Sequence, residues 1–171
     1  MEDSSPAGFD GFVVQHSAAL FRTAYVLTGN QHAAEDLLQE TLVRVCRHWR
    51  KVRRADAPEA YARRIVVNLA NDRWRRLVRT AETGDLAEIE RRPDPRDAYG
   101  AVDLRAELIQ ALHRLPMGMR TVVVLHFLHD MDDAQIAQML GISASAVRSQ
   151  LARGLEKLRA TLPSSLPEGA Q

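Results

Sequence analysis

The sequence predicts an all-α protein of two small helical domains joined by a flexible linker, with a helix-turn-helix in the C-terminal domain. Three observations predict it. Apolar residues return at helical spacing, best seen in Ala34, Leu38, Leu42, Val45 and Trp49. No alternating apolar pattern of the kind strands require repeats anywhere. A charged stretch from about Thr80, with Gly84, Pro93 and Pro95, interrupts the helical periodicity near the middle.

The first helix is expected over 9–29, with Phe12, His16, Ala19, Ala24 and Leu27 sharing a face, closed by Thr28-Gly29-Asn30. The second spans Gln31 to Trp49. Pro58 falls in the first turn of a third that reaches about Arg79, where its missing N–H costs nothing. These three make a small bundle, the domain 9–79. Residues 80–98 form the linker, long enough to reach roughly 60 Å if extended, so the halves need not touch.

The second domain covers 99–161. Leu104, Leu108, Ala111, Leu112 and Leu115 make one apolar stripe, which Pro116 ends. Thr121 to Leu128 is apolar and β-branched enough for a strand, but its place between helices favours a buried helix. Helices over about Asp132–Leu140 and Ser143–Thr161 follow. The tail 162–171 is expected to be disordered.

Between those last helices lies the most informative run. Two acids open a short helix, Ile136 and Leu140 form its edge, and Ala137 permits a close crossing. Gly141 takes the tight turn, Ile142 fills the angle, and Ser143 caps the next helix. Val147, Leu151, Leu155 and Leu158 give that helix its inner edge. This is the pattern of a helix-turn-helix. Its outer side carries Ser145, Arg148, Ser149 and Gln150, then Arg153, Lys157 and Arg159. Short polar groups with an Arg near the N-terminal end suit base edges in the major groove, and the later cations suit phosphates. A helical hairpin with a merely solvated face would use the same packing.

Charge is informative by segment. The chain is nearly neutral at +1, yet residues 44–79 hold 12 basic and 3 acidic side chains. Such a block makes a local anion-binding surface or a solvated helix face. On the third helix, Arg64, Asn68, Asn71, Asp72, Arg75 and Arg79 line one polar side, flanked by Arg73 and Arg76. Tyr61, Ile65 and Leu69, with Val66, Ala70 and Leu77, can pack inward. Amides among arginines suit base edges as well as phosphates, and Tyr61 or Trp74 can stack on unpaired bases. Trp74 fits the core equally, on the Val67, Ala70 and Val78 stripe. The second helix instead groups Glu35, Asp36, Gln39 and Glu40, a patch fit for a basic partner or for water alone.

Several classes are excluded or weakened. No apolar run of 18 residues spans a membrane. Met1 to Gly8 is acidic, so no secretory leader is expected and the location expected is cytoplasmic. The single Cys46 excludes an internal disulfide, and a packed thiol is expected there. His126, His129, Asp130, Asp132 and Asp133 bring two imidazoles and carboxylates together, as in metal-dependent phosphohydrolases, but the other His residues supply no complement. No phosphate-binding glycine loop or nucleophile elbow occurs. No catalytic residue, cofactor or metal is therefore expected.

Ala33-Ala34-Glu35-Asp36-Leu37-Leu38-Gln39-Glu40-Thr41, then Ile65-Val66-Val67-Asn68 with Asp72 and Arg75-Arg76, then Leu115-Pro116 with Arg120, and the helix-turn-helix itself, stand in an order that resembles one family. It is the small alternative sigma factors of bacterial RNA polymerase, of the extracytoplasmic-function type, with an actinobacterial tone. The resemblance covers about residues 9–160. It implies docking on the polymerase core through Asp36, Gln39 and Glu40, with Leu37 and Leu38 packing. It implies recognition and opening of the −10 element by Tyr61, Arg64, Asn68, Asn71, Asp72, Arg75 and Arg76. For the −35 element it implies Ser145, Arg148, Ser149, Arg153 and Lys157. The partners implied are core polymerase, promoter DNA and an anti-sigma factor, with a free monomer. Gln135 departs from the commoner Glu, Asp132-Asp133 from the commoner Ser-Tyr, and Gln150 from a frequent Arg. A dimeric transcriptional regulator is the nearest rival, separated from this reading by the Asn/Arg face and the acidic helix before it.

Overall fold

The computed structural model describes residues 7–82 and 106–162, and those residues form helices without a strand among them. They fall into two units, one within Met1–Gly100 and one within Ala101–Gln171. Most of the expected linker, the stripe residue Leu104 and the tail beyond 162 lie outside the described residues.

The first unit holds α1 (Phe9–Thr28), α2 (Gln31–Arg47), the short α3 (Trp49–Val52) and α4 (Pro58–Glu82). Gly29 closes α1 in the left-handed region at φ 66°, donating its N–H to Tyr25 O, and the Asn30 side chain then caps α2 by accepting from Ala33 N at 2.9 Å. One αL glycine and one Asn thus turn the chain back within two residues. α1, α2 and α4 pack on one another, burying Phe12, Leu20, Ala24 and Leu27 of α1, Ala33, Ala34, Leu37 and Val45 of α2, and Ala62, Val66, Val67, Leu69 and Ala70 of α4. Ala19 is exposed rather than inward. Thr23 takes the buried place instead, its hydroxyl donating to Ala19 O at 3.0 Å so that no polar hydrogen is left bare.

The inward face of α2 runs Ala33, Ala34, Leu37, Thr41 and Val45, so Leu38 and Leu42 are only half-buried. The expected apolar stripe is thus turned by one residue over its central part. The helix also ends before Trp49. His48 leaves helical geometry at φ −108°, ψ 14°, and Trp49 opens α3. Its indole stacks edge-on against Phe9 at 5.6 Å and tilted on Phe12 at 5.3 Å, while Nε1 donates to Ala7 O at 2.9 Å. The ring is drawn out of helical register by the start of α1, where an aromatic cluster buries it.

The second unit holds α5 (Ala106–Arg114), α6 (Met117–Leu128), α7 (Asp133–Leu140) and α8 (Ala144–Thr161). The β-branched run is a helix: residues 120–125 of α6 are buried on every side, with Thr121 Oγ1 donating to Met117 O at 2.8 Å. Burial all round, not alternation, explains its composition. The buried edge of α8 is Val147, Gly154 and Leu158, with Leu151 and Leu155 half-buried.

Gly154 is where α8 meets α6. A Cβ there would stand 2.9 Å from Val123 Cγ2 and 3.6 Å from Met119 Cβ. Val is stiff at χ1, so the clash cannot be relieved by rotation alone. Gly154→Ala gains about 1 kcal/mol of helix propensity but overpacks at a cost of about 1–3 kcal/mol. A net loss of stability is expected, read as a lower thermal midpoint for this unit; a raised midpoint would mean the two helices can separate freely.

His113 adds a pH dependence. Its Nδ1 is buried without a hydrogen-bond partner among the described residues, and burial, then the Arg120 charge, lowers its pKa from 6.5 to about 4. The unfolded chain therefore takes up a proton near pH 6.5 that the folded unit refuses until about pH 4. This contribution is fully present above pH 6.5 and is lost as pH falls through that window. In His113→Gln the fall in thermal midpoint between pH 7 and pH 4 should be shallower than in the parent; equal slopes would remove His113 from the effect.

Candidate nucleic-acid interfaces

The outer face of α4 is continuous. Tyr61, Arg64, Asn68, Asp72, Arg75, Arg76 and Arg79 are exposed, while Ala62, Val66, Val67, Leu69 and Ala70 fill the core. Tyr61 therefore stands outward at 37% exposure, on the polar side rather than in the inward place its spacing also allowed. The reason is helical phase: it lies three, seven and eleven residues before Arg64, Asn68 and Asp72, on one azimuth. Ile65 is half-buried, as are Leu77 and Trp74. Asn71 sits at the margin of the face, half-buried, with Nδ2 donating to Val67 O at 3.0 Å. Asp72 and Arg75 pair at 3.4 Å while both stay exposed. The exposed amide of Asn68 between guanidinium groups can address base edges, and the Tyr61 ring offers a stacking plane at the N-terminal end.

A second basic group was visible only as part of the charged block. Arg47, Arg50, Lys51, Arg53 and Arg54 are all exposed around α3 and the turn before α4. Arg47, Arg50, Lys51 and Arg54 do fall at i, i+3, i+4 and i+7, but α2 ends at Arg47 and α3 spans only Trp49–Val52, so that spacing marks no single continuous helix.

On α2 the acids also face out. Asp36, Gln39 and Glu40 are exposed, Leu37 is buried and Leu38 half-buried. Glu40 Oε1 accepts from Arg44 Nη2 at 2.6 Å, and Glu35 Oε1 accepts from Gln31 Nε2 at 3.0 Å. The carboxylates are thus held along the helix by i, i+4 partners. Cys46 is a free, half-buried thiol on the same helix.

The helix-turn-helix is built as its residues require. Asp132 Oδ1 accepts from Gln135 N at 2.8 Å and Gln135 Oε1 accepts from Asp132 N at 3.0 Å, a complete capping box. Gln135, in place of the commoner Glu, completes the box. Gly141 turns the chain at φ 66° and Ser143 Oγ accepts from Ala146 N at 3.0 Å to start α8. Ile142 does not fill the angle between the helices; it is 39% exposed, and Ile136, fully buried, occupies the centre. Ser145, Arg148, Ser149, Arg153 and Lys157 are exposed along α8, together with Glu156, which sequence reading left aside. Gln150 is turned away. Half-buried, its amide lies close enough to Gly118 that a Cβ there would be 3.6 Å from Nε2. Arg148 Nη1 lies 3.9 Å from Asp133 Oδ2 across the motif.

The His126 to Asp133 cluster is dispersed into structure. His126 Nδ1 lies 3.2 Å from Met131 O and its ring meets Phe127 edge-on, while Asp130 turns the chain at φ 50° and Asp132 caps α7. Among the described residues no group of three or more His, Cys, Asp and Glu is placed to hold a metal ion. No helix among them is long and apolar enough to cross a membrane.

The family model for Sigma-70 region 2 matches residues 12–80, and that for Sigma-70, region 4 matches residues 105–158. The chain is 34% identical over 174 residues to the ECF RNA polymerase sigma factor SigE of Mycolicibacterium smegmatis, covering 99% of this chain and 67% of that one. It is 33% identical over 154 residues to the RNA polymerase sigma-E factor of Streptomyces coelicolor, covering 90% and 85%. Among solved structures, the sigma factor RpoE in complex with the anti-sigma factor NepR from Bartonella quintana shares the fold, with a TM-score of 0.77 at 22% identity over 94% of this chain and 100% of that one. CnrH, solved in complex with the cytosolic domain of CnrY, gives a TM-score of 0.60 at 25% identity over 92% and 89%.

Proposed function

The chain belongs to the RNA polymerase sigma factors, of the extracytoplasmic-function type, and on that premise we propose how its two helical units divide the work. The first, 9–79, docks on core polymerase through Asp36, Gln39 and Glu40 of α2 and takes the −10 element on the outer face of α4. Arg64, Arg75 and Arg76 hold phosphates there. Tyr61, Asn68, Asn71 and Asp72 receive bases that leave the duplex. The second, 99–161, lays α8 in the major groove at the −35 element, with Ser145, Arg148 and Ser149 toward base edges and Arg153 and Lys157 toward phosphates. Residues 80–98 join them.

The observation that carries this reading is that each unit exposes one polar, cationic helix face while α2 exposes carboxylates. Two weak DNA contacts, fixed by core at the spacing of two promoter elements, act together through effective concentration. Extruding bases costs a few kcal/mol, offset by the contacts that capture them. The chain itself makes and breaks no bond; the polymerase holds the active site. It works in the cytoplasm, as a monomer when free. The two solved relatives are held in complexes, one with the anti-sigma factor NepR and the other with the cytosolic domain of CnrY, and a protein covering the DNA-facing surfaces is proposed for this chain too.

Asn68→Ala tests the division. Holoenzyme carrying it should still protect the −35 element but lose permanganate reactivity of thymines near −10. Undiminished reactivity would take Asn68 out of strand opening.

A further inference from the structure

We infer that Asp133 is a positioning residue for Arg148, holding its guanidinium so that it selects among bases rather than attaching to any phosphate. The inference deepens the −35 reading above and rests on it. Asp133 is the first residue of α7, yet it is not needed as the cap, because Asp132 and Gln135 already complete the capping box. Its carboxylate is instead turned across the motif, with Oδ2 3.9 Å from Arg148 Nη1 and side-chain exposures of 32% and 63%. The two residues come from different helices, so the pair links α7 to the outward edge of α8 near its N-terminal end.

An exposed pair at this distance contributes little to fold stability. Its effect is on direction. A guanidinium offers a planar fork of donors that fits guanine O6 and N7 bidentately, while a phosphate can be met from almost any angle. At 3.9 Å the carboxylate attracts Nη1 through charge rather than a hydrogen bond, which biases the guanidinium toward α7 and narrows the orientations open to Nη2 and Nε. The carboxylate also places a negative charge on a face that carries Arg148, Arg153 and Lys157, which weakens attachment to phosphates irrespective of sequence. Both effects trade affinity for discrimination.

The test uses the full-length chain bound to core RNA polymerase and a pool of duplexes randomised across the −35 region, with bound sequences counted. Five proteins are compared: the parent, Asp133→Asn, Asp133→Glu, Arg148→Ala, and Asp133→Asn with Arg148→Ala together. Asp133→Asn should lower the base preference at the position Arg148 reads by about two- to fivefold and raise retention of the pool as a whole. Arg148→Ala should abolish that preference, and adding Asp133→Asn should then change it no further. Asp133→Glu should restore part of it. If Asp133→Asn leaves preference untouched while Arg148→Ala removes it, or acts equally with Arg148 absent, the carboxylate does not position the guanidinium. If Arg148→Ala alters no preference, the base-reading role of Arg148 falls first and the inference with it.

Discussion

Arg120→Met is expected to unfold the second unit at temperatures where the first remains folded. Arg120 is 1% exposed, the largest fully buried side chain of the described residues. Its Nε donates to Leu112 O at 2.9 Å, and Nη2 donates to His113 O at 2.7 Å and Leu115 O at 3.0 Å. Those carbonyls lie at and just beyond the end of α5, where the helix has run out of its own donors and its dipole is negative. A cation from the next helix therefore caps α5 and fixes the turn through Pro116. Burial lowers the Arg120 pKa to about 10, which leaves it protonated at neutral pH. Met keeps much of the volume and none of the donors. Each carbonyl left buried and unpaired costs about 1–3 kcal/mol, so a total of about 3 kcal/mol or more is expected. For a domain this small that is a drop of roughly 12 °C or more in thermal midpoint. Arg120→Lys should fall between, because one ammonium cannot serve all three acceptors in the same plane. Calorimetry resolving the two units checks this; a midpoint within about 2 °C of the parent would mean the carbonyls find other donors.

Gln39→Ala combined with Glu40→Ala is expected to abolish stable retention on core polymerase while the fold survives. Both side chains are exposed, so their loss opens no cavity. The only described contact removed is the Glu40–Arg44 pair, which is half-exposed at both ends, and such i, i+4 pairs contribute about 0.3–0.5 kcal/mol. Centrally placed interface residues cost about 2 kcal/mol or more when truncated, roughly thirtyfold in affinity. Binding and folding are thereby separable. Arg44→Ala is the control: it breaks the same ion pair and should leave retention close to that of the parent. Full retention of the double variant, with helicity unchanged, would move the docking surface off this part of α2.

What could be read from the chain, and what could not, follows from the range of the forces involved. The helical character of both units was legible because period and caps are local: Asn30, Pro58, Asp132, Gly141 and Ser143 stand where the helix ends are. The polar face of α4 was legible for the same reason, since Arg64, Asn68, Asp72 and Arg75 repeat at helical spacing. Trp49 was not, because what ends α2 is an aromatic cluster formed with Phe9 and Phe12, some forty residues earlier. The one-residue turn of α2 has a related cause. Thr41 and Leu42 cannot be ranked for burial by hydropathy when packing against α1 and α4 decides the phase. Gly154 and Gln150 gain their roles from α6, through Val123 and Gly118. Arg120 had a signal in plain view, a lone cation within an apolar run, and the inference from it is that such a cation is buried and bonded to backbone. The pairing of Asp133 with Arg148 depends on the angle between two helices, which residue spacing does not contain.

The central claim is that this chain lends promoter choice to a polymerase that lacks it. Run-off transcription with purified core enzyme on genomic fragments, with and without the chain, tests it most directly. The account predicts discrete new transcripts that appear only when the chain is added and that vanish with the Gln39→Ala, Glu40→Ala form. An unchanged transcript pattern, together with tight binding of duplex DNA by a dimer of the chain alone, would contradict it.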